Sequence, residues 1–164
     1  MTEPKDFNKG VTIPASDGST LKVGIVRTRW NDAVVSPLEE GVLESLRKCG
    51  VKEANIVTVN VPGAYELSFG AKSLIKRDPS IDAVVCLGTL IKGETHHYEY
   101  ICSACSAGIS QVGLDTGVPV VFGVLMCLTD EQAQKRAGIG ANSHNHGLDW
   151  GLTAVEMGKM RFYA

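Results

Sequence analysis

The chain has 164 residues, 44% of them hydrophobic, and a formal net charge of -2. That length buries one core comfortably and two poorly, so a single domain is expected. The near-balanced charge offers no basic field to a phosphodiester backbone, no apolar run approaches the ~20 residues of a membrane helix, and the polar start from Met1 to Gly10 has no signal-peptide core, so a cytoplasmic protein without nucleic-acid or membrane partners is expected.

Residues 1–20 carry Pro4, Gly10, Pro14 and Gly18 among few apolar side chains, which reads as a flexible N-terminal arm, with the folded domain over 21–164. Leu21 to Val26 is a short apolar strand. Val34, Leu38, Val42 and Leu46 then recur at every fourth position, the spacing of a helix face, until Gly50 stops the helix. Asn31 and Ser36 are both candidate N-caps, and Pro37 falls early enough that its missing N–H costs little. Strand and helix alternate again: Asn55 to Val61 is strand-like, Glu66 to Lys76 helical, Ile81 to Leu87 a Val-rich strand and Tyr98 to Val112 a helix rich in small residues. Val118 to Leu125 is the last strand. Thr129 and Gln132 form a capping box for a short helix ending at Ala137, and a Gly/Asn/His loop leads to a final helix over Asp149 to Phe162.

Strands that are continuously apolar, each followed by a helix, belong in a parallel sheet covered on both faces. The expected fold is α/β and doubly wound (flavodoxin-like): a four-stranded parallel sheet flanked by helices on both faces, a three-layer α/β/α sandwich. In such sheets ligands bind beyond the carboxyl ends of the strands. Chemistry is therefore sought in the segments Arg27 to Asn31, Pro62 to Glu66, Gly88 to His97 and Met126 to Asp130.

The five cysteines, Cys49, Cys86, Cys102, Cys105 and Cys127, lie scattered in apolar segments, as reduced thiols used as small hydrophobes do. Cys102 and Cys105 have the spacing of a redox or zinc pair, but they sit inside a helical run and no second pair exists.

The most informative segment runs Gly88-Thr89-Leu90-Ile91-Lys92-Gly93-Glu94-Thr95-His96-His97. It nearly matches a nucleotide P-loop, except that Glu94-Thr95 stands where that motif needs Lys-Ser/Thr, and a carboxylate there repels a triphosphate. What survives is a glycine turn followed by a helix start with free N–H groups and the Thr95 hydroxyl, a better fit to a single phosphate monoester. His97 adjoins this loop, and an imidazole titrates near neutral pH, so it is a candidate proton shuttle. His144 and His146 form a second pair. A four-histidine metal site lacks the helix-face spacing and the carboxylate or thiolate clip such centres use, so neither metal nor cofactor is expected. Trp30, just past the first strand, is a candidate platform for a flat heterocycle, or else is covered by a loop. After the second strand, Gly63 lets backbone approach a ligand, while Glu66 either accepts hydrogen bonds from hydroxyls or favours its helix N-terminus. Arg136 either compensates its helix dipole or contacts phosphate. From the residues alone this is a phosphate-binding α/β enzyme with a histidine; a flavin-binding carrier and a metal-dependent hydrolase are the competing readings.

The runs Arg29-Trp30-Asn31, Val61-Pro62-Gly63-Ala64-Tyr65-Glu66-Leu67, Gly88 to Thr95 and His97-Tyr98-Glu99-Tyr100-Ile101, in that order, closely resemble the lumazine synthase family. Gly117-Val118-Pro119-Val120, Glu131-Gln132-Ala133, Arg136-Ala137-Gly138 and Asn145-His146-Gly147 continue the match, and the Trp30-Asn31 pair with the His-Asn-His-Gly ending is most similar to fungal members. The resemblance covers about Leu21 to the C-terminus. It implies a cofactor-free condensation of 5-amino-6-(D-ribitylamino)uracil with 3,4-dihydroxy-2-butanone 4-phosphate, in a homopentamer whose active sites lie between subunits. It further implies that Trp30 stacks on the pyrimidine, Ala64 and Glu66 hold the ribityl chain, and Leu90 and Ile91 line the ring site with Phe122 of the adjacent subunit. Asn31, Gly63, Tyr65, Lys92 and His146 complete the substrate set, His146 standing where many relatives carry Lys. Gly93, Glu94 and Thr95 would bind phosphate with Arg136 of the adjacent subunit, and His97 would transfer protons.

Overall fold

A computed structural model describes residues 10–161. Residues 1–9 of the N-terminal arm, and Phe162, the expected end of the last helix, lie outside the described residues. The elements follow the expected alternation: β1 (Val23–Thr28), α1 (Asp32–Lys48), β2 (Ile56–Val61), α2 (Leu67–Arg77), β3 (Ala83–Ile91), α3 (His97–Thr116), β4 (Val120–Cys127), α4 (Asp130–Arg136) and α5 (His146–Met160). The four strands are all parallel in the order β2-β1-β3-β4. This is the doubly wound, flavodoxin-like sheet, and its strand order reverses at β1, between β2 on one side and β3 on the other.

The inner strands show why the apolar runs are unbroken. Along β3, Ala83, Val85 and Leu87 face one core with Val35, Val42 and Leu46 of α1 and Ala154 and Val155 of α5. Val84 and Cys86 face the other core with Leu67, Ala71 and Leu74 of α2 and Cys105 and Ile109 of α3. Every side chain from Ala83 to Leu87 is fully buried, so no position is free to be polar. The α1 face read from its spacing, Val34, Leu38, Val42 and Leu46, is buried as a whole, and Gly50 takes the left-handed conformation (φ 81°) expected of the stop. The arm is pinned from Gly18, whose N–H donates to the Cys49 carbonyl at 2.7 Å.

Four local expectations are corrected. The strand expected to end at Leu87 continues to Ile91, because β4 pairs with it residue for residue as far as Ile91↔Cys127, so Gly88 to Ile91 are strand and only Lys92 to His96 form the loop. Asn31 precedes α1 but caps it with no side-chain bond, Ser36 lies a turn inside the helix, and Pro37 is its sixth residue. Thr129 caps α4 by accepting from the Gln132 N–H at 3.2 Å, but the Gln132 side chain accepts from Leu128, one residue short of a reciprocal box. The last helix begins a turn early, at His146, with the Asn145 side chain accepting from the Gly147 N–H at 2.8 Å.

Candidate active site

The carboxyl ends of β1, β2 and β3 open onto a cleft of about 590 Å³, at the strand-order reversal where such sheets bind ligands. Three connections wall it. The first is the turn from β1 into α1. Its backbone extends the pairing with the neighbouring connection, Arg29 N–H donating to Val61 O at 2.9 Å and Trp30 N–H to Pro62 O at 3.1 Å. Asn31 is left-handed (φ 58°, ψ 40°), a conformation its short amide side chain tolerates, and that amide donates to the Thr89 carbonyl of β3 at 2.8 Å. The turn is thus tied to both strands that flank β1. Trp30 stands on it 73% exposed, its indole bordering the cleft.

The second wall follows β2. Residues Ala64–Glu66 form one tight 3-10 turn before α2. The Glu66 carboxylate accepts from the Gly63 N–H at 3.0 Å, which fixes it at the cleft with acceptor capacity to spare for a hydroxyl. Ala64 is buried beneath the turn and Tyr65 is exposed on it. The third wall follows β3: Leu90 and Ile91 are half-buried at the floor, and Gly93 and Thr95 form an exposed rim. Thr95 Oγ1 accepts from the His97 N–H at 3.3 Å, closing the entry to the 20-residue helix α3. The remaining first-turn N–H groups of a long helix make an anion-attracting end. His97 is its first residue and lines the cleft.

Two sequence-predicted residues of this loop turn away. Lys92 pairs with Glu99, which holds that carboxyl below its usual range, and neither Lys92 nor Glu94 borders the cleft. Among the described residues no lysine or arginine lines it at all. Arg136 lies at the end of α4, exposed, with its guanidinium on the Gln132 carbonyl of its own helix at 3.3 Å. Phe122 lies on the outer edge strand β4, in a separate apolar groove with Leu114, Trp150 and Met157. His146 opens α5 beside His144 and Trp150, and His144 Nε2 lies 2.6 Å from Asp149 Oδ2. Burial and then the neighbouring His144 hold His146 below the ordinary histidine range, against the opposing pull of Asp149.

Four wall residues were not among the sequence-predicted site residues: Pro62, Thr89, Tyr98 and Ile101. Ile101 was findable, since it lies one helical turn after His97 and so on the same face. Tyr98 is pushed up to about 12 by burial first and the adjacent Cys102 second, so it is a neutral hydroxyl near neutral pH. The thiols are equally quiet: burial raises Cys86 strongly and carries Cys105 up to about 11.

Comparison with known proteins gives one family. A family model described as 6,7-dimethyl-8-ribityllumazine synthase matches residues 20–161. A protein of that name from Pyricularia oryzae is 44% identical, over 93% of this chain and 94% of its own length. Its counterpart from Schizosaccharomyces pombe is 47% identical over 89% and 91%, and one from Cytophaga hutchinsonii 46% over 85% and 86%.

Proposed function

The chain belongs to the 6,7-dimethyl-8-ribityllumazine synthase family, and from that premise we propose that it condenses 5-amino-6-(D-ribitylamino)uracil with 3,4-dihydroxy-2-butanone 4-phosphate, as a cofactor-free transferase of riboflavin biosynthesis acting in the cytoplasm. The primary amine adds to the ketone and loses water to give an imine, phosphate leaves by elimination, and the ribityl-bearing nitrogen closes the second ring with loss of a second water. Each step moves a proton or expels phosphate. Holding both substrates in one cleft supplies much of the acceleration, and His97 moves the protons. The observation that carries this reading is the convergence, in one cleft, of an exposed indole, a fixed carboxylate and a helix N-terminus bearing a histidine.

On this reading Trp30 stacks on the pyrimidine over the floor of Leu90 and Ile91. Asn31, Gly63, Ala64, Tyr65 and Glu66 hold the ring edge and ribityl chain, and Gly93, Thr95 and the Glu94 backbone receive the phosphate. A phosphate dianion at a helix end without a cation is poorly neutralised, and among the described residues this cleft has no lysine or arginine of its own. We therefore assign the cation to Arg136 of an adjacent subunit, with Phe122 and His146 entering from the same side of the boundary and Lys92 at its rim. The exposed apolar groove around Phe122 supports a heterologous ring contact, here a homopentamer.

The test is complementation. His97→Ala and Arg136→Ala rings are each expected to lose ~100-fold or more in phosphate release. In randomly mixed rings about a quarter of interfaces pair an intact His97 with an intact Arg136, so co-refolding should restore up to about a quarter of the activity. Mixed rings that form yet stay inactive would place the whole site within one chain.

A further inference from the structure

Arg27 is the one charged residue of strand β1. It lies on the β1 face that packs against α1, and its side chain and that of Glu39 are each only 14% exposed. Its Nη1 donates to Glu39 Oε2 at 2.6 Å, while Nη2 donates to Asp32 and, at 3.2 Å, to Ser36 Oγ. Ser36 Oγ in turn donates to Asp32 Oδ1 at 3.0 Å. One guanidinium therefore grips three positions along a single face of α1, at i, i+4 and i+7. Yet its Nε is buried without a partner among the described residues.

As a source of stability this is a poor arrangement. A buried ion pair with an unsatisfied donor does no better than a well-packed apolar side chain of the same volume, and often does worse. What the fork supplies is direction, because its rigid plane fixes both the rotation and the axial position of α1 against β1. The residue before Asp32 is the left-handed Asn31, whose carbonyl accepts from Val34 and Val35 at 2.9 and 3.0 Å while its amide reaches Thr89. The residue before that is Trp30, largely exposed and so oriented chiefly by its backbone. A shift of the helix start passes directly into the angle of the indole.

We propose that Arg27 is a positioning residue for ring recognition: by clamping Asp32, Ser36 and Glu39 it holds the first turn of α1, and through Asn31 it sets the plane of Trp30. Arg27 does not border the cleft, so it acts without touching ligand. The inference rests on the reading of Trp30 as the ring platform.

The experiment is a double-mutant cycle on the full chain with riboflavin as the flat, ribityl-bearing probe and inorganic phosphate as the probe of the opposite end. Arg27→Met is expected to weaken riboflavin about 5- to 10-fold, to leave inhibition by phosphate unchanged, and in a Trp30→Ala background to change riboflavin affinity less than about twofold. Asp32→Ala, which leaves the Arg27–Glu39 pair in place, is expected to give the same pattern and serves if Arg27→Met folds poorly. Equal losses in both backgrounds, or parallel losses for riboflavin and phosphate, would reduce Arg27 to a structural residue and overturn the proposal. No loss on either substitution, with Trp30→Ala still weakening riboflavin, overturns the clamp alone. If Trp30→Ala itself leaves affinity unchanged, the platform is misassigned and the clamp falls with it.

Discussion

Replacing Trp30 with alanine separates recognition from folding, because the indole is 73% exposed yet borders the cleft. A tryptophan side chain offers about 250 Å² of surface, so roughly 180 Å² of it remains open to solvent. A flat ring stacking on one face covers about half of that, roughly 90 Å², which at ~25 cal/mol per Å² stabilises the complex by about 2 kcal/mol. Stacking geometry adds ~1 kcal/mol. The substitution should therefore weaken pyrimidine or riboflavin binding by about 2 to 3 kcal/mol, roughly 30- to 150-fold. The buried remainder of the side chain is under ~70 Å², an upper bound of about 2 kcal/mol on the cost to folding. Equilibrium dialysis against riboflavin, paired with urea denaturation, measures both quantities. An affinity loss smaller than about threefold, or one matched by an equal loss of stability, refutes the assignment of this indole as the platform.

Two further outcomes test the scaffold behind the site. A Cβ added at Gly147 would lie 2.0 Å from the Leu38 carbonyl oxygen, so Gly147→Ala must push α5 off α1 and should cost about 3 kcal/mol or more in urea denaturation. Gly50→Ala, strained only by its positive φ, should cost about 1 to 2 kcal/mol, and equal costs would show that the helix contact yields freely. Because His146 is held below the ordinary histidine range in the fold, the unfolded chain binds its proton first as pH falls. Its contribution to stability is thus intact above about pH 7 and declines as pH drops through the ordinary histidine value near 6.5 towards the lower folded value. The melting temperature of the parent should accordingly fall more steeply between about pH 7 and 5 than that of His146→Asn, and parallel curves would contradict the stated environment of the ring.

Much of this protein was legible without coordinates, because the deciding physics is local. Unbroken apolar runs at β1 and β3 require a sheet buried on both faces, and the fourfold spacing from Val34 to Leu46 requires a helix with one buried side. From those patterns the parallel, doubly wound sheet and the cleft position follow, and so do Trp30, Glu66 and His97 as its neighbours. The rest depended on partners distant in the chain. Gly88 to Ile91 reads as a glycine loop until β4 arrives to complete its ladder, 36 residues on by the register Gly88↔Val124. Asn31 looks like an N-cap until its amide finds a carbonyl 58 residues away. Arg27 is an unremarked charge until Asp32, Ser36 and Glu39 are wound onto one face and brought over it. Lys92 looks free to meet substrate until the first turn of α3 carries Glu99 to it. In each case the residue's own preferences allow several conformations of similar free energy, and a hydrogen bond or ion pair formed only on packing selects among them.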